Sequence, residues 1–139
     1  MSAIVVGYDG SDGSRAALDK GIDLAQQLGD SVTVVFGYEP PGVIGGEMGS
    51  HEEAIKERGE KVMKLATDQA SAKKFEVETK MVDGHPAEAL VAEAESVDTR
   101  MIVVGNQGGP SPLKGAILGA VPFKLVHLSP VPVLVVPST

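Results

Sequence analysis

The chain has 139 residues, enough for one domain with a sizeable core. Hydrophobic residues make up 42% and charged residues 22%, which describes a globular rather than a disordered chain, and the lack of cysteine excludes disulfides and thiolate chemistry. A net charge of −7 with 4% aromatics argues against a broad nucleic-acid footprint, while a small phosphate held by backbone amides stays compatible with it.

Ala3 to Tyr8 (AIVVGY) is β-branched and almost continuously apolar, as in a strand buried on both faces. The run from Asp9 to Ser14 (DGSDGS) offers a turn and several N-caps. Leu18, Ile22, Ala25 and Leu28 then recur at helical spacing, and Gly29 suits the C-terminal cap. Ser31 to Tyr38 (SVTVVFGY) predicts the second strand. Residues 39–50, rich in glycine and proline, predict a long loop. A second helix is expected from about Ser50 to Lys74, with Ile55, Val62, Ala66 and Ala70 as its apolar stripe and Gly59 weakening it slightly. Phe75 to Val82 alternates as a third strand. Pro86 fits the first turn of a third helix carrying Leu90, Val91, Ala94 and Val97. Met101 to Val104 reads as the fourth strand, and a glycine-rich loop follows. A fourth helix then runs from near Val121 to near Leu128, and Val131 to Val136 (VPVLVV) is the fifth strand.

Five strands alternating with helices, without an internal repeat or linker, predict a single α/β domain over residues 1–139. The sheet is expected to be parallel, doubly wound and covered by helices on both faces. In such sheets a ligand binds beyond the carboxyl ends of the strands, where the strand order reverses. The loops after strands one, two and four are therefore the candidates. No apolar run approaches the roughly 18–20 residues that span a bilayer, and no basic leader is apparent. The expectation is a cytoplasmic protein with no membrane partner and no nucleic-acid partner.

The loop after strand four carries the strongest chemical signal. Gly105, Gly108, Gly109 and Gly119 would let backbone approach a ligand closely. The helix beginning near Val121 would direct free amides and its positive dipole end toward that loop, which is phosphate-binding geometry. The plainer reading is a glycine-rich connection chosen for tight turns. Asp9, at the end of strand one, is either a ligand contact or the organiser of the turn. Gly37, at the end of strand two, is either a ligand-facing position or a strand-end glycine. Lys114 within the loop is read as a solvated side chain. His51, His85 and His127 lie on separate elements without metal-ligand spacing, so surface or capping roles are expected. A Walker loop, a dinucleotide fingerprint and a nucleophile elbow are all absent.

The glycine segment from Val104 to Pro122 resembles the universal stress protein family, whose nucleotide-binding members carry Gly-x2-Gly-x9-Gly-Ser/Thr. The resemblance runs the length of the chain. Val5 to Ser11 (VVGYDGS) looks like the family's first strand and aspartate, Gly84 to Leu90 (GHPAEAL) like its turn into the third helix, and Pro130 to Val136 (PVPVLVV) like its last strand. The match departs at the phosphate end. Gly105 to Gly108 has the first spacing, but nine intervening residues to Gly119 are counted only from Gly109, so the loop is one residue longer than the pattern. Ala120 stands where ATP-binding relatives have a hydroxyl. A hydrogen bond to a charged group is worth about 1.5–3 kcal/mol, so triphosphate binding is weakened more than binding of AMP or cyclic AMP.

The resemblance implies a Rossmann-like sheet of the adenine nucleotide α-hydrolase type, with strand order 3-2-1-4-5. It implies an adenine nucleotide ligand, ATP or AMP, with or without Mg, and no other cofactor. Gly7 and Tyr8 would line the adenine pocket by backbone contact, Asp9 would contact the nucleoside, and Gly37 would pack on the base. Val104, Gly105, Asn106, Gly108, Gly109, Gly119, Ala120 and Val121 would complete the nucleotide-binding set. The resemblance also implies a homodimer through Val131 to Val136. The sequence shows no dedicated general base, so the expectation is a stress-response or signalling protein with at most weak ATP hydrolysis. The alternative is a dimeric interaction module of the same family that binds no nucleotide.

Overall fold

Strand and helix alternate through the chain as β1 (Ala3–Gly7), α1 (Asp12–Leu28), β2 (Ser31–Tyr38), α2 (Met48–Ala72), β3 (Glu78–Asp83), α3 (Pro86–Ser96), β4 (Thr99–Gly105), α4 (Ala120–Leu128) and β5 (Val133–Val136). The structure is a computed structural model and describes residues 2–38, 48–106 and 120–138. Residues 39–47, most of the expected loop after β2, lie outside the described residues. So do residues 107–119, which include Gly108, Gly109, Lys114 and Gly119.

The five strands form one parallel sheet in the order β3-β2-β1-β4-β5, as the family resemblance implies. Successive side chains on a strand point to opposite faces, and both faces are used. Ile4, Val6, Val32, Val34 and Val103 pack toward α1 and α2 with Leu18, Ile22, Val62 and Ala66. Val5, Val35, Ile102 and Val104 pack toward α3 and α4 with Leu90, Ala94 and Leu125. This two-sided burial explains the dense apolar stretches of the central strands β1, β2 and β4. Fully burying a side chain of this kind contributes about 1.5–3 kcal/mol, so β1, β2 and β4 form the stable centre.

Local chemistry sets the ends of the elements. Ser11 caps α1, its hydroxyl accepting from the Ser14 amide at 3.3 Å. Gly29 ends the same helix with φ 73°, a left-handed conformation that glycine adopts without strain. The strand boundaries differ from the sequence pattern: β1 ends at Gly7 rather than Tyr8, and β4 runs from Thr99 to Gly105 rather than from Met101 to Val104. β3 starts at Glu78 rather than Phe75, because the Phe75 amide bonds back to the Ala70 carbonyl and closes α2. β5 starts at Val133 rather than Val131, because Ser129 and Val131 exchange hydrogen bonds of 2.7 and 3.2 Å in a tight turn. No helix among the described residues is long and apolar enough to cross a membrane.

Candidate functional site

The strand order reverses at β1, which lies between β2 and β4. The sheet's carboxyl ends open there into a cleft. Its apolar floor comes from Gly7, Val35, Gly37, Leu90 and Val104, and its rim from Asp9, Ser11 and Ser14. Tyr8 and Phe36 also line it, and Val121 and Pro122 bring the start of α4 to it.

Three helices present their N-terminal ends to this cleft: α1 through Ser11 and Ser14, α3 through Pro86, and α4 through Val121 and Pro122. The unpaired amides and aligned dipoles of such ends favour negative charge. The turn after β1 is built by its own side chains. Asp9 Oδ1 accepts from the Ser11 amide at 2.9 Å. The Asp9 amide donates to Ser14 Oγ at 3.3 Å, and that hydroxyl donates to the Ser11 carbonyl at 3.0 Å. Asp9 is thus the organiser of the turn. An ionised carboxylate offers about four acceptor positions, so this one bond leaves capacity for a ligand hydroxyl.

The strand-end glycines have a packing role. A β-carbon on Gly37 would lie 2.6 Å from Pro86 Cα, so the missing side chain admits the first turn of α3 onto β2. A β-carbon on Gly105 would lie 2.6 Å from the carbonyl carbon of Gly13, so α1 rests directly on the end of β4. At Gly7 the nearest atoms are side-chain methyls of Leu90 and Val104, at 3.0 and 3.1 Å. These glycines bring helix ends close to the sheet and thereby shape the cleft.

Of the residues singled out in the sequence, Gly7, Tyr8, Asp9, Gly37, Val104, Gly105 and Val121 gather around the one cleft. Asn106 follows Gly105; its amide donates to the Val136 carbonyl at 3.0 Å, and its Oδ1 is buried without a partner among the described residues. Ala120 opens α4. Gly108, Gly109 and Gly119 lie outside the described residues. The sequence reading passed over the turn after β3, yet that turn delivers Pro86 and Leu90 to the cleft. The signal was available, because every right-handed crossover sets its loop at the carboxyl end of a strand. Ser11 and Ser14, read only as possible caps, are also wall residues. His85 is an N-cap: its Nδ1 accepts from the Ala87 amide at 3.1 Å. His127 lies in the last turn of α4 and meets the Phe123 ring edge-on.

Burial raises the Tyr8 phenol above its usual value, with Arg15 opposing and Asp9 and Asp19 reinforcing the shift. Among the described residues, no group of three His, Asp or Glu side chains is placed to hold a metal ion. The arrangement suits binding rather than catalysis: an apolar-lined cleft with acceptors and helix N-termini around it.

The model of the universal stress protein family matches residues 1–137. Universal stress protein YxiE of Bacillus subtilis is 31% identical over 147 aligned residues, covering 98% of this chain and 99% of that protein. A universal stress protein solved in complex with cAMP superposes with a TM-score of 0.76 at 30% identity, covering 99% of this chain and 98% of the other. The universal stress protein of Archaeoglobus fulgidus in complex with dAMP shares the fold, with a TM-score of 0.74 at 22% identity over 98% of both chains. Fold, strand order and full-length similarity converge, and the chain belongs to the universal stress protein family.

Proposed function

We propose that this protein binds an adenine nucleotide in the cleft at the carboxyl ends of β1, β2 and β4, and serves stress response or signalling through that bound state rather than through catalysis. The observation that carries the reading is the cleft's composition. An apolar slot between Val35, Leu90 and Val104 suits a planar base, Asp9 stands at the rim for ribose hydroxyls, and helix N-termini face an anionic group. The buried Oδ1 of Asn106 is one more acceptor beside the cleft. The relative solved with cAMP supports the ligand class. By the family resemblance of the segment that holds Gly108, Gly109, Gly119 and Ala120, AMP and cyclic AMP are favoured over ATP, because Ala120 lacks a hydroxyl. The same reading sets the protein in the cytoplasm.

The test is thermal unfolding of nucleotide-free protein with ATP–Mg, AMP and cyclic AMP. A ligand at a hundred times its dissociation constant adds about 2.7 kcal/mol, which raises the midpoint by several degrees in a domain of this size. The expected order is AMP or cyclic AMP above ATP, and Ala120→Ser is expected to raise the ATP response selectively. No rise with any nucleotide transfers the reading to an interaction module without nucleotide.

The protein is further proposed to act as a homodimer through β5. The two edges of the sheet are unlike each other. β3 carries Glu78, Lys80 and Asp83, charges that discourage strand addition. β5 is Val-Leu-Val-Val, and all four residues are only half-buried. On α4, Phe123 and Val126 are 55% and 54% exposed. Sedimentation equilibrium is expected to give twice the monomer mass, and a monomer at micromolar concentration would overturn the assignment.

A further inference from the structure

Gln69 lies on α2, across the sheet from α3, yet it is wired into the cleft. Tyr8 has its backbone at the end of β1, and its amide donates to the Val35 carbonyl at 3.1 Å. Its ring is 3% exposed and packs with the α1–α2 side of the core. Its hydroxyl donates to Gln69 Oε1 at 3.1 Å. The amide group of the same glutamine donates to the Arg15 carbonyl at 2.7 Å and to Asp19 Oδ1 at 2.8 Å. One turn further, Lys73 Nζ donates to the Asp19 carbonyl at 3.1 Å and to Asp23 Oδ1 at 2.6 Å. A row of α2 side chains thus grips α1 by its backbone.

The first turn of α1 is the wall of the cleft, through Ser11 and Ser14. Its inner side is fixed by the close approach of Gly13 to Gly105. Its outer side is fixed two residues later, at the Arg15 carbonyl, by Gln69. A carboxamide is suited to this place because it supplies an acceptor and two donors at once. Leucine has similar bulk but satisfies none of the three bonds. Glutamate would keep the acceptor for the Tyr8 hydroxyl, lose both donors and bring a second carboxylate to Asp19.

We infer that Gln69 is a positioning residue for the nucleotide cleft, holding the end of β1 through the Tyr8 hydroxyl and the first turns of α1 through the Arg15 carbonyl. The inference rests on the nucleotide reading of that cleft. Gln69 is not among the residues that line the cleft and acts through α1 and the end of β1.

The test compares wild type, Gln69→Leu, Tyr8→Phe and the double variant by calorimetric titration with AMP, cyclic AMP and ATP–Mg, far below each unfolding midpoint. Gln69→Leu is expected to weaken binding about three- to tenfold, the equivalent of one ordinary hydrogen bond. Tyr8→Phe is expected to weaken it less, and the double variant no more than Gln69→Leu, because both act through one network. A purely structural role would lower the unfolding midpoint and leave the affinity of the folded protein unchanged. Unchanged affinity in Gln69→Leu, or independent additive losses, overturns the inference. Wild type that binds no nucleotide overturns the nucleotide reading instead. Amide spectra of the ligand-free proteins then decide the positioning role. Shifts in Gln69→Leu that reach Gly7, Asp9, Ser14 and Gly105 sustain it, and shifts confined to α2 and the outer side of α1 overturn it.

Discussion

The two rims of the sheet use their polar residues in opposite ways. At the amino-terminal rim, polar groups are paired with one another. The Asp30 side chain, 2% exposed, accepts from Arg100 Nε and, at 3.2 Å, from Arg100 Nη2, tying the start of β2 to the start of β4. Ser2 Oγ donates to Asp98 Oδ2 at 3.1 Å, and the Ala3 amide to the Asp98 carbonyl at 2.8 Å. At the carboxyl-terminal rim, Gly7, Gly37 and Gly105 stand at or next to strand ends, helix N-termini converge, and among the described residues Asn106 Oδ1 has no partner. One rim locks strands together; the other, on the nucleotide reading proposed above, offers its remaining hydrogen-bonding capacity to a ligand. Stability and recognition are thereby separated along the strand direction, and substitutions can test that separation.

The largest effect on stability is expected at the locked rim. Asp30→Ala removes the acceptor shared by two Arg100 donors, and hydrogen bonds to charged groups are worth about 1.5–3 kcal/mol. Urea unfolding should show a loss of that size, while nucleotide affinity stays at the wild-type value. A matching loss of affinity would erase the distinction between the rims. Gly105→Ala is the complementary change. Its β-carbon meets the backbone of Gly13 rather than a flexible side chain, so α1 must move. Overpacking of this kind costs about 1–3 kcal/mol. Unlike Asp30→Ala, it is expected to weaken nucleotide binding as well, because the displaced segment carries Ser11 and Ser14. Titration and unfolding on the same sample separate the two effects. Wild-type affinity in Gly105→Ala would count against the cleft as the binding site.

The sheet was legible in the sequence because burial on both faces leaves an unmistakable apolar run, as at Val32 to Phe36. Phe75 and Val77 misled for a physical reason. They are apolar at alternating positions and pack against the core, but they do so from the connection that closes α2. That Gly7 and Asp9 stand at the cleft was legible by position alone, since both lie at the carboxyl end of a central strand. Gly105 was only half legible: a glycine that admits a phosphate and one that admits the backbone of Gly13 look the same in one dimension. Gln69 carried no signal, because its partners Tyr8 and Arg15 stand 61 and 54 residues away in the chain.

The smallest expected effect, and the most specific to the locked rim, is its acid sensitivity. The hydrogen bond from Arg100 holds the Asp30 carboxyl below the usual carboxylate range, outweighing the opposing effect of burial. In the unfolded chain the same group titrates near its ordinary value of about 3.9. A carboxyl whose folded value is depressed contributes its stabilisation fully above the unfolded value and loses it as pH falls through the folded one. The stability difference between wild type and Asp30→Asn should therefore be constant from about pH 8 to pH 5 and shrink below that. Urea midpoints at several pH values measure it directly. A difference that stays constant into acid would show that Asp30 and Arg100 hold the strands by geometry alone. Its disappearance, with nucleotide affinity following a different pH course, would show that charge locks one rim while the other answers to its ligand.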